Sequence, residues 1–303
     1  MTAIHYVFLN GRIIDARRAT VSVYDRGLLY GDGLFETMRA YKGVAFAVEE
    51  HFHRLRTSAD ILGLPIPDRD WPATIGELLD RNGLARRDAW VRLTVTRGPA
   101  DPGILPPDVA QPTVILMARA LDPAIGRYRE AGMKVALLPF APDGFIPEHK
   151  SINYLPAVVG KVLASYHGAQ EGLFVKPGQV VTEGTTSSLF AVREGVLYTP
   201  PPSGILPGIT RAIVLDLARA HHIPAEERAI APADLRIADE AFLTSSIIEL
   251  APIVELDGRP LGSGRPGPLT RQLAHLYSQA VAAYVKAKTG RAAVDRRQRT
   301  RAR

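Results

Sequence analysis

The chain is expected to fold as an α+β protein built in two unequal halves. Short strand patterns and helical patterns alternate along it with no internal repeat, and the pattern breaks and restarts around Leu121-Asp122-Pro123. Residues 1–121 are therefore expected to form a small N-terminal domain, 122–288 a larger C-terminal one, and 289–303 a basic disordered tail. With 303 residues, 46% hydrophobic and 22% charged, the chain can bury a core in each half.

In the first half, Asn10-Gly11 between Ile4–Leu9 and Arg12–Asp15 predicts a hairpin, because Asn-Gly suits the positive φ angles of a type I′ turn. Asp25 to Gly33 is punctuated by glycine and predicts a loop. Leu34–Tyr41 and Val44–Ala47 pair as strands, and Glu49–Leu62 carries Phe52, Leu55, Ala59 and Leu62 at helical spacing. A second helix is expected from Trp71 to Asn82. Strands Trp90–Thr96 and Thr113–Ala118 flank an irregular Gly/Pro loop that begins at Arg97.

In the second half, Lys134–Leu138 predicts a strand and a Pro/Gly-rich loop then leads to His149-Lys150-Ser151-Ile152-Asn153-Tyr154. A helix over Asn153–His167 follows, with Leu155, Val158, Val159, Val162 and Leu163 on its apolar side. Short strands are expected at Gly172–Val175, Val180–Glu183, Leu189–Arg193, Val196–Thr199, Glu240–Thr244 and Ile253–Leu256. Helices are expected at Thr210–His221, Pro232–Ile237 and Pro268–Lys288.

The absence of cysteine excludes disulfides, thiolate metal sites and a cysteine nucleophile, and it fits a cytoplasmic setting. No apolar run reaches the ~18 residues of a membrane span, and the opening Met1-Thr2-Ala3-Ile4-His5 does not resemble a signal peptide. The net charge is +6, but residues 291–303 hold six arginines against Asp295 alone, so +5 sits in that tail. The body is not expected to bind nucleic acid.

Four local features converge on one chemistry. Lys150 lies at a loop–helix junction. Glu183 ends a strand and is followed by glycine and the hydroxyls Thr185, Thr186, Ser187 and Ser188. Gly208-Ile209-Thr210 opens a helix, where free N–H groups and the helix dipole suit a phosphate. Thr244-Ser245-Ser246 ends a strand in hydroxyl donors. Singly, each reads as a surface charge, a helix cap or strand-edge polarity; their order does not.

From about Phe8 to Tyr284 the chain resembles the class IV, fold-type IV pyridoxal-phosphate enzymes: branched-chain aminotransferases, D-amino-acid transaminases and aminodeoxychorismate lyases. The matching pieces are Tyr30-Gly31-Asp32-Gly33-Leu34-Phe35-Glu36, His51-Phe52-His53-Arg54-Leu55, Lys150 to Tyr154, Thr182-Glu183-Gly184-Thr185, Pro207 to Arg211 and Thr244 to Glu249. The resemblance implies a cleft between the two domains that holds pyridoxal 5′-phosphate, with no metal. Lys150 would be the aldimine lysine and proton carrier, and Glu183 would face the pyridine nitrogen. Arg54 would grip the phosphate with Ile209, Thr210 and Ser246, and Tyr154 would lie near the ring oxygen. Tyr30, Phe35, Arg39 and Arg97 would line the substrate side, partly from a neighbouring subunit of a homodimer.

Departures from the family pattern bear on the substrate. Ser188 stands where asparagine is common, and Thr37 stands where branched-chain enzymes have glycine. The Arg-x-His carboxylate trap of D-amino-acid transaminases is absent from Arg97–Pro107. Phe35-Glu36-Thr37-Met38-Arg39 resembles the lyase branch as much as the transaminase branch. The expected activity is transfer of an amino group between an amino acid, branched-chain, aliphatic or D, and a 2-oxo acid such as 2-oxoglutarate. The alternative is elimination of pyruvate from 4-amino-4-deoxychorismate. A non-catalytic dimer or a basic-tailed binding protein is disfavoured, since a packed core does not need Lys150, Glu183 and Arg54 together.

Overall fold

Two sheets divide the chain between them. The structure, a computed structural model, describes residues 5–301, with side chains described through residue 290. The first sheet contains β1 (Tyr6–Leu9), β2 (Arg12–Asp15), β3 (Gly33–Tyr41), β4 (Val44–Ala45), β5 (Ala89–Thr96) and β6 (Thr113–Ala120), in the order β2-β1-β6-β5-β3-β4. Asn10 and Gly11 take φ 45° and 97° at the hairpin tip, as their residue types favour. The expected loop over Asp25 to Gly33 instead contains a one-turn helix, α1 (Arg26–Tyr30). The Asp25 carboxylate accepts the Gly27 N–H, and Gly31 closes the turn at φ 69°.

Strand alternation splits this sheet into two chemistries. Leu34 and Met38 of β3, Val91, Leu93 and Val95 of β5, and Leu116 of β6 pack on α2 (Val48–Leu62) and α3 (Trp71–Arg81), where Trp71 stacks on Phe52. Phe35 and Thr37 of β3 pair with Thr94 and Arg92 of β5 on the opposite face, which turns toward the second half.

β6 ends at Ala120 and α4 (Ala124–Ala131) begins after the Leu121-Asp122-Pro123 break. Next come β7 (Met133–Leu138), α5 (Leu155–Tyr166), β8 (Glu171–Lys176), β9 (Val180–Gly184), β10 (Ser188–Arg193) and β11 (Val196–Thr199). They are followed by α6 (Ile209–Ala220), β12 (Ala225–Glu227), α7 (Pro232–Arg236), β13 (Glu240–Ser245), β14 (Glu249–Leu256) and β15 (Arg259–Pro260). The second sheet runs β12-β11-β10-β13-β14-β7-β8-β9, with β15 paired to β14. In a flat sheet β9 and β10 would stand about 24 Å apart, five spacings of ~4.8 Å. The step from Gly184 to Ser188 spans at most about 14 Å, so the sheet must curl until its β9 edge approaches β10. That curl brings Glu183 and the 184–188 turn to one end of the cavity described below.

α8 (Pro268–Arg301) runs past its expected end at Lys288, with the Thr289 hydroxyl donating to the Val285 carbonyl at 2.9 Å. The side chains of the expected basic tail from residue 291 lie outside the described residues. α5 corrects a second expectation. Its inward side is Ala157, Gly160 and Ala164, while Leu155, Val158, Val159 and Val162 are exposed. A Cβ on Gly160 would stand 2.7 Å from the Thr185 Cγ2, so the helix seats on the sheet only by its small residues.

A buried charge cluster ties the sheets together. Arg39 of β3 pairs with Asp88 at 2.8 Å and with Glu249 of β14 at 2.9 Å. The Tyr41 hydroxyl donates to Glu249 at 2.6 Å, and Arg129 of α4 reaches the other carboxylate oxygen. Glu249 holds φ 58°, a left-handed backbone unusual for a non-glycine residue. Glu249→Ala should lower folding stability by about 3 kcal/mol, because it strands buried cations. Glu249→Gly should lose roughly 1 kcal/mol less, since glycine accepts that backbone without strain. Urea unfolding midpoints of the three proteins check both.

Candidate active site

A cavity of about 720 Å³ opens between the polar face of the first sheet and the curled end of the second. Lys150 enters it because its backbone is pinned to β3. The Phe35 N–H donates to the Lys150 carbonyl at 2.8 Å, the Ile152 N–H donates to the Gly33 carbonyl at 3.0 Å, and Leu34 and Ser151 form an antiparallel bridge. The Lys150 amine then sits 4.6 Å from the centroid of the Phe35 ring, which meets Tyr154 edge-on at 5.0 Å.

Lys150 keeps some surface toward the cavity while dense protein surrounds the rest. Burial and the nearby Arg54 charge lower its amine to about 8, against the pull of Glu36 and Glu183. Glu183 is also partly exposed only within this enclosure. Burial raises its carboxyl to about 8, although it accepts the Leu206 N–H and faces positive charge from Lys150 and Arg54. The two groups thus reach opposite perturbations from the same desolvation.

The far end of the cavity is shaped for an anion. α6 points its N-terminus there from Gly208, and Ile209 and Thr210 line the wall with Ser246 and Arg54. A Cβ on Gly208 would come within 2.5 Å of the Ser188 Oγ, so only glycine lets this turn close down. The hydroxyls of Ser187 and Thr244 are buried at the wall without a partner. Unpartnered donors beside a helix N-terminus and a guanidinium fit the ester phosphate of an anionic cofactor.

Arg54 is held from behind. Its Nε and a terminal nitrogen donate to the two oxygens of Glu36 at 2.8 and 2.6 Å, and its other arm donates to the Pro207 carbonyl at 2.9 Å. Burial alone would raise the Glu36 carboxyl, but Arg54 and His51 outweigh it and hold it at about 2. Glu171 accepts from the Thr186 hydroxyl at 3.2 Å, from the Thr185 hydroxyl, and from Lys161 at 2.9 Å, fixing the turn after Glu183.

Of the residues singled out from sequence, Lys150, Arg54, Tyr154, Glu183, Ile209, Thr210, Ser246 and Phe35 line this cavity. Tyr30, Arg39 and Arg97 do not. Tyr30 accepts the Gly103 N–H at 2.9 Å within the loop that follows β5. Arg39 lies further along β3 and is consumed by the Asp88–Glu249 cluster. Arg97 pairs with Asp32 and donates to the Leu62 and Gly63 carbonyls, satisfying the open end of α2.

Arg92 of β5, which was not singled out from sequence, does face the cavity. It lies 3.6 Å from the centroid of the Phe35 ring, donates to the Thr94 hydroxyl, and has no carboxylate partner among the described residues. Burial lowers its basicity. The signal was present in the alternation Trp90-Val91-Arg92-Leu93-Thr94-Val95, which puts Arg92 on the polar face. Arg119, over the Trp90 ring at 4.9 Å, also lines the wall.

Comparison with known proteins places this geometry. The class IV amino-transferase family model matches residues 33–256. A putative branched-chain-amino-acid aminotransferase of Methanocaldococcus jannaschii is 40% identical over 270 residues, covering 88% of this chain and 93% of that protein. A D-alanine aminotransferase of Staphylococcus haemolyticus is 34% identical, covering 88% and 94%. The crystal structure of the Escherichia coli branched-chain amino acid aminotransferase superposes with a TM-score of 0.84 at 30% identity, covering 92% and 95%.

The opposed shifts predict a pH signature in cofactor-free protein. Glu183, raised from 4.5 to about 8, binds a proton in the folded state that the unfolded chain has released. Its stabilising contribution is full below pH 4.5 and is lost as pH rises to about 8. Lys150, lowered from 10.5 to about 8, acts in the next window, where its contribution to stability grows as pH rises from about 8 to 10.5. Glu183→Gln should flatten the lower limb and leave the upper one, as read from urea midpoints across pH.

Proposed function

Because the chain belongs to the class IV aminotransferases, we propose that it moves an amino group from an aliphatic, branched-chain amino acid to a 2-oxo acid such as 2-oxoglutarate. The observation that carries this reading is the perturbed Lys150–Glu183 pair in one cavity with an anion cup at one wall and Arg92 at another. The enzyme uses pyridoxal 5′-phosphate. Bound there, the cofactor supplies an electrophilic carbonyl and an electron-withdrawing ring that acidifies the Cα–H of an amino acid.

In this reading the chain's own groups divide the work. Arg54 and Ser246, the Thr210 hydroxyl and the Ile209 and Thr210 amides hold the phosphate, with Ser187 and Thr244 as further donors. Glu183 holds a proton at the pyridine nitrogen, and a cation there would draw the carboxyl back toward its ionised form. Tyr154 and Phe35 wall the ring in beside Lys150. The Lys150 Nζ, with its basicity reduced to about 8, takes the Cα proton and returns it as a general base and acid near neutral pH.

Trp90, Leu121, Ile125, Ile247 and Ile248 give the rest of the cavity an apolar lining for an aliphatic side chain. Arg92 offers the distal carboxylate of a dicarboxylic acceptor a guanidinium that makes no ion pair among the described residues. The exposed apolar face of α5 is assigned to a second copy of the chain, with Leu28 and Leu29 of α1 and Ile104 and Leu105 of the following loop. Tyr30 would serve a neighbouring site from that position. The composition without cysteine suits the cytoplasm.

Purified protein should transfer the amino group of L-leucine, L-isoleucine or L-valine to 2-oxoglutarate. Activity with D-alanine alone, or pyruvate release from aminodeoxychorismate, would overturn the substrate assignment. Borohydride treatment should fix the cofactor on Lys150, and peptide mapping to Lys161 or Lys176 would sink it. Lys150→Ala should have no measurable turnover. Arg92→Leu should raise KM for 2-oxoglutarate tenfold or more, since a charge-assisted contact is worth about 1.5–3 kcal/mol. KM for a monocarboxylic 2-oxo acid should change far less.

A further inference from the structure

Behind the anion cup a buried acid–imidazole pair backs the Ser246 hydroxyl, and the proposed reaction makes no use of the imidazole. Glu36 is 0% and His51 1% exposed, and the Nδ1 of His51 lies 2.6 Å from the Glu36 carboxylate. The other ring nitrogen, Nε2, lies 3.3 Å from the Ser246 Oγ, and Ser246 lines the cavity. Glu36 is ionised and fully engaged by Arg54, so it can only accept, and the Nδ1 of His51 must carry a proton. The direction of the second contact is then set by one question, whether Nε2 is bare or protonated. A bare Nε2 draws the Ser246 proton onto itself and leaves only oxygen lone pairs facing the cavity. A protonated Nε2 donates to the Ser246 oxygen and frees its hydroxyl hydrogen for the cavity.

The groups that face His51 come from four elements: Glu36 on β3, Arg54 on its own helix, Lys150 on the segment bridged to β3, and Ser246 between β13 and β14. Burial, Arg54 and Lys150 disfavour the imidazolium and Glu36 favours it, with a net lowering that leaves the ring neutral when no anion is present. A dianion in the cup changes that balance twice. It adds negative charge beside Ser246, and it accepts hydrogen bonds but offers none, so a lone-pair-only Ser246 would repel it.

We propose that the Glu36–His51–Ser246 chain is a proton-linked donor switch, in which a doubly charged tetrahedral anion bound beside Arg54 and Ser246 puts a second proton on His51 and turns the Ser246 hydroxyl toward the anion. The proton is drawn from solvent and no covalent bond changes. The inference rests on the reading of Arg54 and Ser246 as the phosphate site. It makes anion affinity fall as pH rises, by up to tenfold per pH unit while His51 titrates. His51 is a positioning residue here, since it reaches the ligand only through Ser246.

Sulfate is the probe, because it stays a dianion across the working range and its own titration cannot mimic the effect. Full-length cofactor-free protein labelled with 15N-histidine is titrated with sulfate, and the buried ring is followed by NMR. The expected result is a neutral, Nδ1-protonated ring that becomes imidazolium on binding. Calorimetry in buffers of different ionisation enthalpy should show net proton uptake that persists in Lys150→Met and is lost in His51→Gln. Sulfate that binds while His51 stays neutral, or uptake that vanishes with Lys150→Met, overturns the switch alone. Sulfate that does not bind, or that binds Arg54→Ala as tightly as the parent, overturns the anion cup and the switch with it. The NMR arm needs no substitution, so a misfolded His51→Gln does not spare the proposal.

Discussion

The short antiparallel bridge between Gly33–Phe35 and Lys150–Ile152 is the constraint on which the rest of the structure depends. Two backbone hydrogen bonds join strands from opposite halves of the chain, and they do so at the residue that carries the amine. A side chain as flexible as lysine gains a defined position only if its Cα is fixed from both sides and its stem is packed. The bridge supplies the first condition, and Phe35 and Tyr154 supply the second. The buried Arg39–Glu249 cluster works in the same direction at the other end of β3, so the two sheets are held at both ends of one strand.

The charges around the cavity are arranged so that desolvation favours an anionic guest. Arg54, Lys150 and Arg92 contribute positive charge, whereas Glu36 is committed to Arg54 and His51 and lies behind the wall. Glu183 lines the cavity as an acid whose neutral form burial favours. A ligand bearing a phosphate and one or two carboxylates relieves this excess, while a neutral ligand of the same size does not. The low dielectric between the sheets strengthens the preference.

Most of this site was legible in the sequence because its parts are tied to local structure. Lys150 follows a loop and precedes a helix, Glu183 ends a strand, Gly208 starts a helix, and each local signal survived folding. The arginines were harder. Arg97 looked available in an irregular loop, yet the open carbonyls of α2 are folded onto it from more than thirty residues away. Arg92 looked like one polar position in an ordinary amphipathic strand, and only the neighbouring half of the chain makes its face a cavity wall. His51 and Glu36 sat inside recognisable motifs, but nothing local shows that a buried His–Glu pair will point at Ser246. The periodicity of α5 gave its apolar side correctly and not its direction, since an exposed apolar face has the same period as one turned to the core.

The strand order of the second sheet has a consequence for how the chain is made. β14, residues Glu249–Leu256, inserts between β13 and β7 and runs parallel to β7, which lies more than a hundred residues earlier. During vectorial synthesis the first sheet can close as soon as β6 has emerged. β7 must then wait with one edge unpaired until Leu256 has left the ribosome. That interval exposes an apolar strand edge in a half-folded nascent chain, the condition in which edge-to-edge aggregation competes with folding. In heterologous production, slower growth or added chaperone capacity should act on the lifetime of the unfilled β14 slot rather than on the finished structure.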